Sequence, residues 1–119
     1  MKIIQIVFLL VAGVWCMSVY AKEKEKQVYE FPEAMAQPIR DEYKKLCEKG
    51  RILYEINCAT CHNKVVKGKQ FVPDFTEEQL GAYSIRIANP KHEERVSEAN
   101  VSAEELVLIT AYLTYKKKN

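Results

Sequence analysis

Cys58-Ala59-Thr60-Cys61-His62 decides how the rest of this chain is read, because C-x-x-C-H is the short pattern that attaches haem covalently to protein. Two thiols at this spacing can add to the two vinyl groups of one porphyrin, and the imidazole that follows directly is placed to bind the iron from below. Two rival readings use the same pair of cysteines. A thioredoxin-like dithiol is expected beside a βαβ pattern, which this sequence lacks, and a zinc site needs further Cys or His ligands, of which only Cys47 and His92 remain beyond the apolar N-terminal run that carries Cys16. Neither rival requires a histidine directly after the second cysteine. The expected cofactor is therefore one haem c, covalently held through Cys58 and Cys61.

Upstream of the motif, Pro38 suits a first helical turn. Apolar or small side chains then recur at Ile39, Tyr43, Leu46, Gly50, Leu53 and Tyr54, the spacing of three and four that predicts a helix running to the haem motif. Gly50 weakens that helix unless close packing needs it. Downstream, residues 63–75 carry Gly68, Pro73 and several lysines without a period, which predicts a loop. Thr76-Glu77-Glu78-Gln79 is a capping box opening a helix to about Ala88, and Asn89-Pro90 stops it. Residues 91–101 are polar and read as a second loop. Ser102-Ala103-Glu104-Glu105 is another capping box, and Leu106, Ile109 and residues 111–113 give the last helix its apolar face. Lys116, Lys117 and Lys118 close it, suiting the negative end of the helix dipole. No segment shows convincing strand alternation and there is no internal repeat, so the fold class expected is all α.

At the other end, Met1-Lys2 precedes an apolar run from residue 3 to 19, followed by Val19-Tyr20-Ala21 and a charged stretch. This is the pattern of a secretory signal peptide cut after Ala21, with an uncleaved membrane anchor as the alternative. Either places the domain outside the cytoplasm, in the periplasm or an equivalent exported location. Cys16 is a poor lipidation site, since bulky Trp15 precedes it where a small residue is expected. Lys22-Glu23-Lys24-Glu25-Lys26 reads as a solvated tether and residues 28–36 as an extended arm. The organisation expected is a signal segment over 1–21, a tether and arm over 22–37, and one haem domain over 38–119.

The 119 residues carry a formal charge of +2. Loss of Lys2 with the signal leaves about +1, with acids and bases interleaved, which excludes the strong basic field that nucleic acid would require. Beyond the signal the cysteines are Cys47, Cys58 and Cys61, an odd count that does not make a disulfide framework. With two in thioethers, Cys47 is a lone thiol, read as a small buried apolar side chain on a helix. A mature chain of about 100 residues has a marginal core by surface-to-volume scaling, and a large apolar cofactor would add to it.

Together these pieces resemble a single-haem, class I c-type cytochrome over residues 50–119. The residues that carry the likeness are Gly50-Arg51-Ile52-Leu53-Tyr54, the motif at 58–62, the Val72-Pro73-Asp74 turn, and residues 102–113 with Glu104-Glu105 and Ala111-Tyr112-Leu113. The resemblance implies a helical cytochrome c-like fold around the haem, thioethers at Cys58 and Cys61, and His62 as proximal iron ligand. It further implies that the Pro73 carbonyl accepts the other N–H of the His62 ring, and that the first and last helices cross near a small and an aromatic residue, places that Gly50 and Tyr112 suit. One departure stands out. The family supplies its second axial ligand as a methionine ahead of the last helix, whereas Met1, Met17 and Met35 all precede the haem motif. His92 lies near the expected position and is the leading candidate; an open or water-bound iron, Met35, or a lysine such as Lys91 are the alternatives.

The function implied is one-electron transfer between respiratory or other periplasmic redox partners by a monomeric, non-enzymatic carrier. Lys64, Lys67 and Lys69 beside the motif could steer an acidic partner, or could belong to an ordinary solvated loop. The alternative function is a haem-based gas or redox sensor with an open or displaceable distal site. Peroxide chemistry ranks below both, because a single His92 would have to do the acid–base work alone.

Overall fold

A computed structural model of the chain describes residues 26–81, 85–86 and 90–119. The elements in chain order are α1 (Gln37–Asn57), α2 (Ala59–His62), β1 (Lys64–Val66), β2 (Lys69–Phe71), α3 (Pro90–Arg95) and α4 (Ala103–Tyr115). The described residues are mostly helical, with a small two-stranded sheet. The signal segment, Cys16, Met1 and Met17 lie outside the described residues. No helix among those described is long and apolar enough to cross a membrane.

The frame is the crossing of α1 over α4. Gly50 sits at the point of contact: a Cβ built on it would lie 2.5 Å from the Leu108 carbonyl carbon, nearer still to the oxygen, and 3.0 Å from Tyr112 Cβ. Only a residue without a side chain lets the two backbones meet there, which explains a glycine in mid-helix despite its poor propensity. The expectation that Gly50 and Tyr112 mark the crossing is met. On α1 the buried stripe is Cys47, Gly50 and Tyr54. Ile39 and Leu46, expected on the core face, are instead 44% and 37% exposed, because the face that meets α4 is set by the glycine and runs through residue 47.

Helix α4 starts as the sequence predicts. Ser102 and Glu105 exchange both bonds of a capping box, at 3.2 and 2.8 Å, and Leu106, Ile109, Tyr112 and Leu113 are buried. With Tyr54, Leu80, Val96 and Val101 they make one apolar core. The bonds of the Thr76–Gln79 box also form, at 2.9 and 3.2 Å. They cap a turn over 77–80, and of the rest of the expected helix Gly81, in a bend, and Ile85 and Arg86, both helical, are described.

Two readings need correction. Residues 63–75 are not simply a loop, since β1 and β2 pair antiparallel there, in the register Lys64 with Phe71 and Val66 with Lys69. The two-residue turn between them places Lys67 at φ 49° and Gly68 at φ 76°, both positive as a type I′ hairpin turn demands. Residues 91–95, expected as part of a loop, lie in α3, which has Pro90, expected as a stop, at its start, where the missing N–H costs nothing.

The arm runs along the end of α4. Tyr29 bridges to Lys116, and Glu30 N–H donates to the Tyr115 carbonyl at 2.8 Å. Tyr29 stands edge-on to Tyr112, and its hydroxyl donates to Glu48 Oε1 at 2.7 Å. Lys116 does not simply complement a helix dipole in solvent: it is buried and ion-pairs with Asp74.

Candidate metal centre

Helix α1 ends when the Cys58 N–H donates to the Tyr54 carbonyl, and Cys58 then starts the single turn α2. His62 N–H bonds back to the Cys58 carbonyl at 3.0 Å, so both cysteines and the histidine are carried on one tight turn fixed to the end of a long helix. The Tyr54 hydroxyl, from the core, donates to Asn63 Oδ1 at 3.0 Å and holds the exit of that turn. Cys58 packs on the apolar core while Cys61 is exposed.

The structure brings together the only two histidines of the chain. His62 Nε2 and His92 Nε2 lie 3.3 Å apart, with ring centroids at 5.6 Å and planes inclined by 41°. They come from α2 and α3, thirty residues apart in sequence. Phe75 stands edge-on to the His62 ring at 5.6 Å, and burial, followed by the charge of His92, lowers the His62 pKa from its ordinary value. Arg95, one turn after His92, reaches back so that Nη1 is 3.6 Å from Cys61 Sγ. Helix α3 is tied to the core through Val96, whose N–H donates to the His92 carbonyl at 2.7 Å.

The donor set at this turn is two imidazoles and two thiols. Among the described residues no group of three or more His, Cys, Asp or Glu could hold a metal ion by itself, and Cys47, the other cysteine among them, is buried at the helix crossing with Sγ against the Ala111 carbonyl at 3.5 Å. Two imidazoles presenting Nε2 to each other are what remains, beside two cysteines at thioether spacing. Burial, then the neighbouring Cys61, pushes Cys58 up to about 11, whereas reactive C-x-x-C pairs have a depressed value.

The other expected site residues are placed as follows. Pro73 lies between Val72 and Phe75, which pack against the core; among the described residues no hydrogen bond joins its carbonyl to His62. Met35 sits in a turn ahead of α1, where its carbonyl accepts from Arg40 Nε at 2.7 Å. An apolar groove of about 420 Å³ opens elsewhere, between α4 and the side chains of Leu80, Arg86 and Glu98, and no residue of the C-x-x-C-H motif lines it. Sequence reasoning missed Arg95 and Phe75. Arg95 follows His92 at i+3 on a helix read as loop, and Phe75 follows the Pro73 turn by two residues, the signal that could have drawn attention to it.

No family model, no curated protein and no solved structure matches this chain.

Proposed function

We propose that this protein is an exported electron carrier, not an enzyme, that holds one covalent haem c and passes single electrons between protein partners. The observation that carries the reading is the 3.3 Å approach of His62 Nε2 to His92 Nε2, from separate helices, beside the C-x-x-C pair. When bound, haem supplies a one-electron couple at its iron. The residues of the chain hold and shield it. Cys58 and Cys61 would hold the group through their sulfurs, and His62 and His92 would offer Nε2 from α2 and α3. Phe75 limits rotation of the His62 imidazole, and the Val96 and Val101 side chains, both buried, fix the root of α3 and keep water from the core. Two held imidazoles keep rearrangement small when the charge changes. A second imidazole in place of the family's methionine favours ferric iron and lowers the potential.

One observation favours a second reading, a ligand-binding or sensing module. His92 Nδ1 is buried and makes no hydrogen bond among the described residues. Ligating histidines almost always donate their second N–H to an acceptor, which fixes the ring and strengthens it as a donor. His92 without one is a more easily displaced ligand, through which a small gas could enter.

Absorption spectra of the ferric and ferrous protein, with and without carbon monoxide, separate the two. A sealed carrier keeps its six-coordinate spectrum under carbon monoxide; rapid conversion assigns the sensing function instead. His92→Ala should turn the spectrum into that of an open or water-bound iron, and an unchanged spectrum overturns His92 as ligand. A colourless protein after maturation in a host able to attach haem overturns both readings.

A further inference from the structure

The hairpin that follows His62 is built unlike the rest of the domain. All six residues of β1 and β2 are exposed, with Val65 at 67%, Val66 at 53% and Phe71 at 38%. A free two-stranded hairpin is marginal in water, and this one covers little of the core. Its register puts Lys64 opposite Phe71 and Val66 opposite Lys69. Because opposed residues share a face and alternate residues share a face, Lys64, Val66, Lys69 and Phe71 form one surface on which cations and apolar groups alternate diagonally. Lys67 projects from the turn, held there in the left-handed region (φ 49°), where a residue other than Gly, Asn or Asp is uncommon. Residues 63–73 contain no acid, and among the described residues none of the three lysines is in an ion pair. The nearest carboxylate in sequence, Asp74, is already committed to Lys116.

We infer that this hairpin face is the docking surface for an acidic protein, and that it brings such a partner to the edge of the metal centre, one residue after His62. The identity of that partner as a redox protein rests on the proposed function; the surface itself does not. Three unpaired cations give the encounter its orientation and salt dependence, and Val66 and Phe71 give short-range contact once the surfaces meet. A membrane with anionic lipids shares part of this chemistry, but the position directly beside the C-x-x-C-H turn, on a rigid connection to α2, favours a protein that must approach the metal.

The test uses the full mature protein labelled with nitrogen-15 and two probes, poly-L-glutamate and vesicles of phosphatidylglycerol. With poly-L-glutamate, amide shifts should move chiefly over residues 63–71, weaken as salt rises, and affinity should fall at least tenfold in K64E/K67E/K69E. Lys44→Glu with Lys45→Glu, a pair of cations on α1, serves as the control and should change affinity less than twofold. Shifts centred instead on residues 116–118 or on α1, or a triple variant that binds as wild type, overturn the assignment. Binding to vesicles with none to poly-L-glutamate overturns it in favour of a lipid surface. A colourless protein that still binds at the hairpin keeps this surface and removes the redox identity of the partner, so the two failures are distinguishable.

Discussion

Gly50→Ala is the substitution whose effect the structure predicts most sharply, because two physical terms oppose each other there. In an ordinary helix interior the change from glycine to alanine stabilises by about 1 kcal/mol through propensity. At the α1–α4 crossing the new methyl would lie 2.5 Å from the Leu108 carbonyl carbon, where ordinary contact begins near 3.4 Å. The neighbour it meets is backbone, which cannot rotate away, so the two helices must separate by about 1 Å along their line of contact, as overpacked cores are forced to do. That loosens Cys47, Tyr54, Ile109 and Tyr112, each at most 2% exposed. Overpacking costs about 1–3 kcal/mol and more when backbone is displaced, so the net expectation is a loss of about 2 kcal/mol or more after the propensity gain. For a domain near 100 residues this lowers Tm by roughly 8–16 °C. Urea and thermal unfolding followed by far-ultraviolet circular dichroism measure it, with Ile56→Ala, at a position 70% exposed, as the control that should move stability by under about 0.5 kcal/mol. A Gly50→Ala protein as stable as wild type, or more so, would refute the crossing at this residue.

The thioether assignment fixes a thiol count: the mature denatured protein should yield one thiol, Cys47, to an alkylating reagent, and three thiols would remove covalent haem attachment. In the native state Cys47 should react slowly, since burial, then the charge of Glu48, pushes its thiol up to about 11. Asp74→Asn should cost about 1 kcal/mol at pH 7, the buried Lys116 losing its partner while the 35% exposure of Asp74 screens the effect. The Lys116 hydrogen bond holds the Asp74 carboxyl below its ordinary range. Its contribution is therefore complete above the unfolded value of about 3.9 and is lost as pH falls through the lower folded value, so the difference between wild type and variant in urea unfolding should vanish at acid pH; a difference that persists there assigns it to another cause. Tyr29→Phe removes the bond to Glu48 and should release the arm at a cost of about 1 kcal/mol, read as faster amide exchange at Glu30 and Lys117 with the core unchanged; equal exchange in both proteins would show that the backbone bonds hold the arm alone.

Both helices of the frame were legible in the sequence because their signals are local. The period of three and four ahead of Cys58 and the Ser102–Glu105 capping box each report on neighbours within a turn. The hairpin was not legible, since Lys67-Gly68 lacks the Asn-Gly signature of a type I′ turn and its strands are three residues long. Nor was α3, six residues with an opening proline that also reads as a stop. On α1 the expected burial of Cys47, Gly50 and Tyr54 is found, whereas Leu46, which fits the helical period as well as Cys47 does, is exposed, and only contact with α4 separates the two.

The sequence by itself determined the C-x-x-C-H turn at 58–62 and the two long helices, because covalent spacing and helical period act over a few bonds, while the meeting of Gly50 with Tyr112 was implied by a family resemblance and fixed by the packing of α1 on α4. Only the tertiary structure decided that His92 faces His62 at 3.3 Å, that its Nδ1 is left without a partner, and that Lys116 turns inward to Asp74. Those outcomes depend on where packing of the apolar core leaves α3 and the chain end, and such placement is a property of the whole chain rather than of any stretch within it.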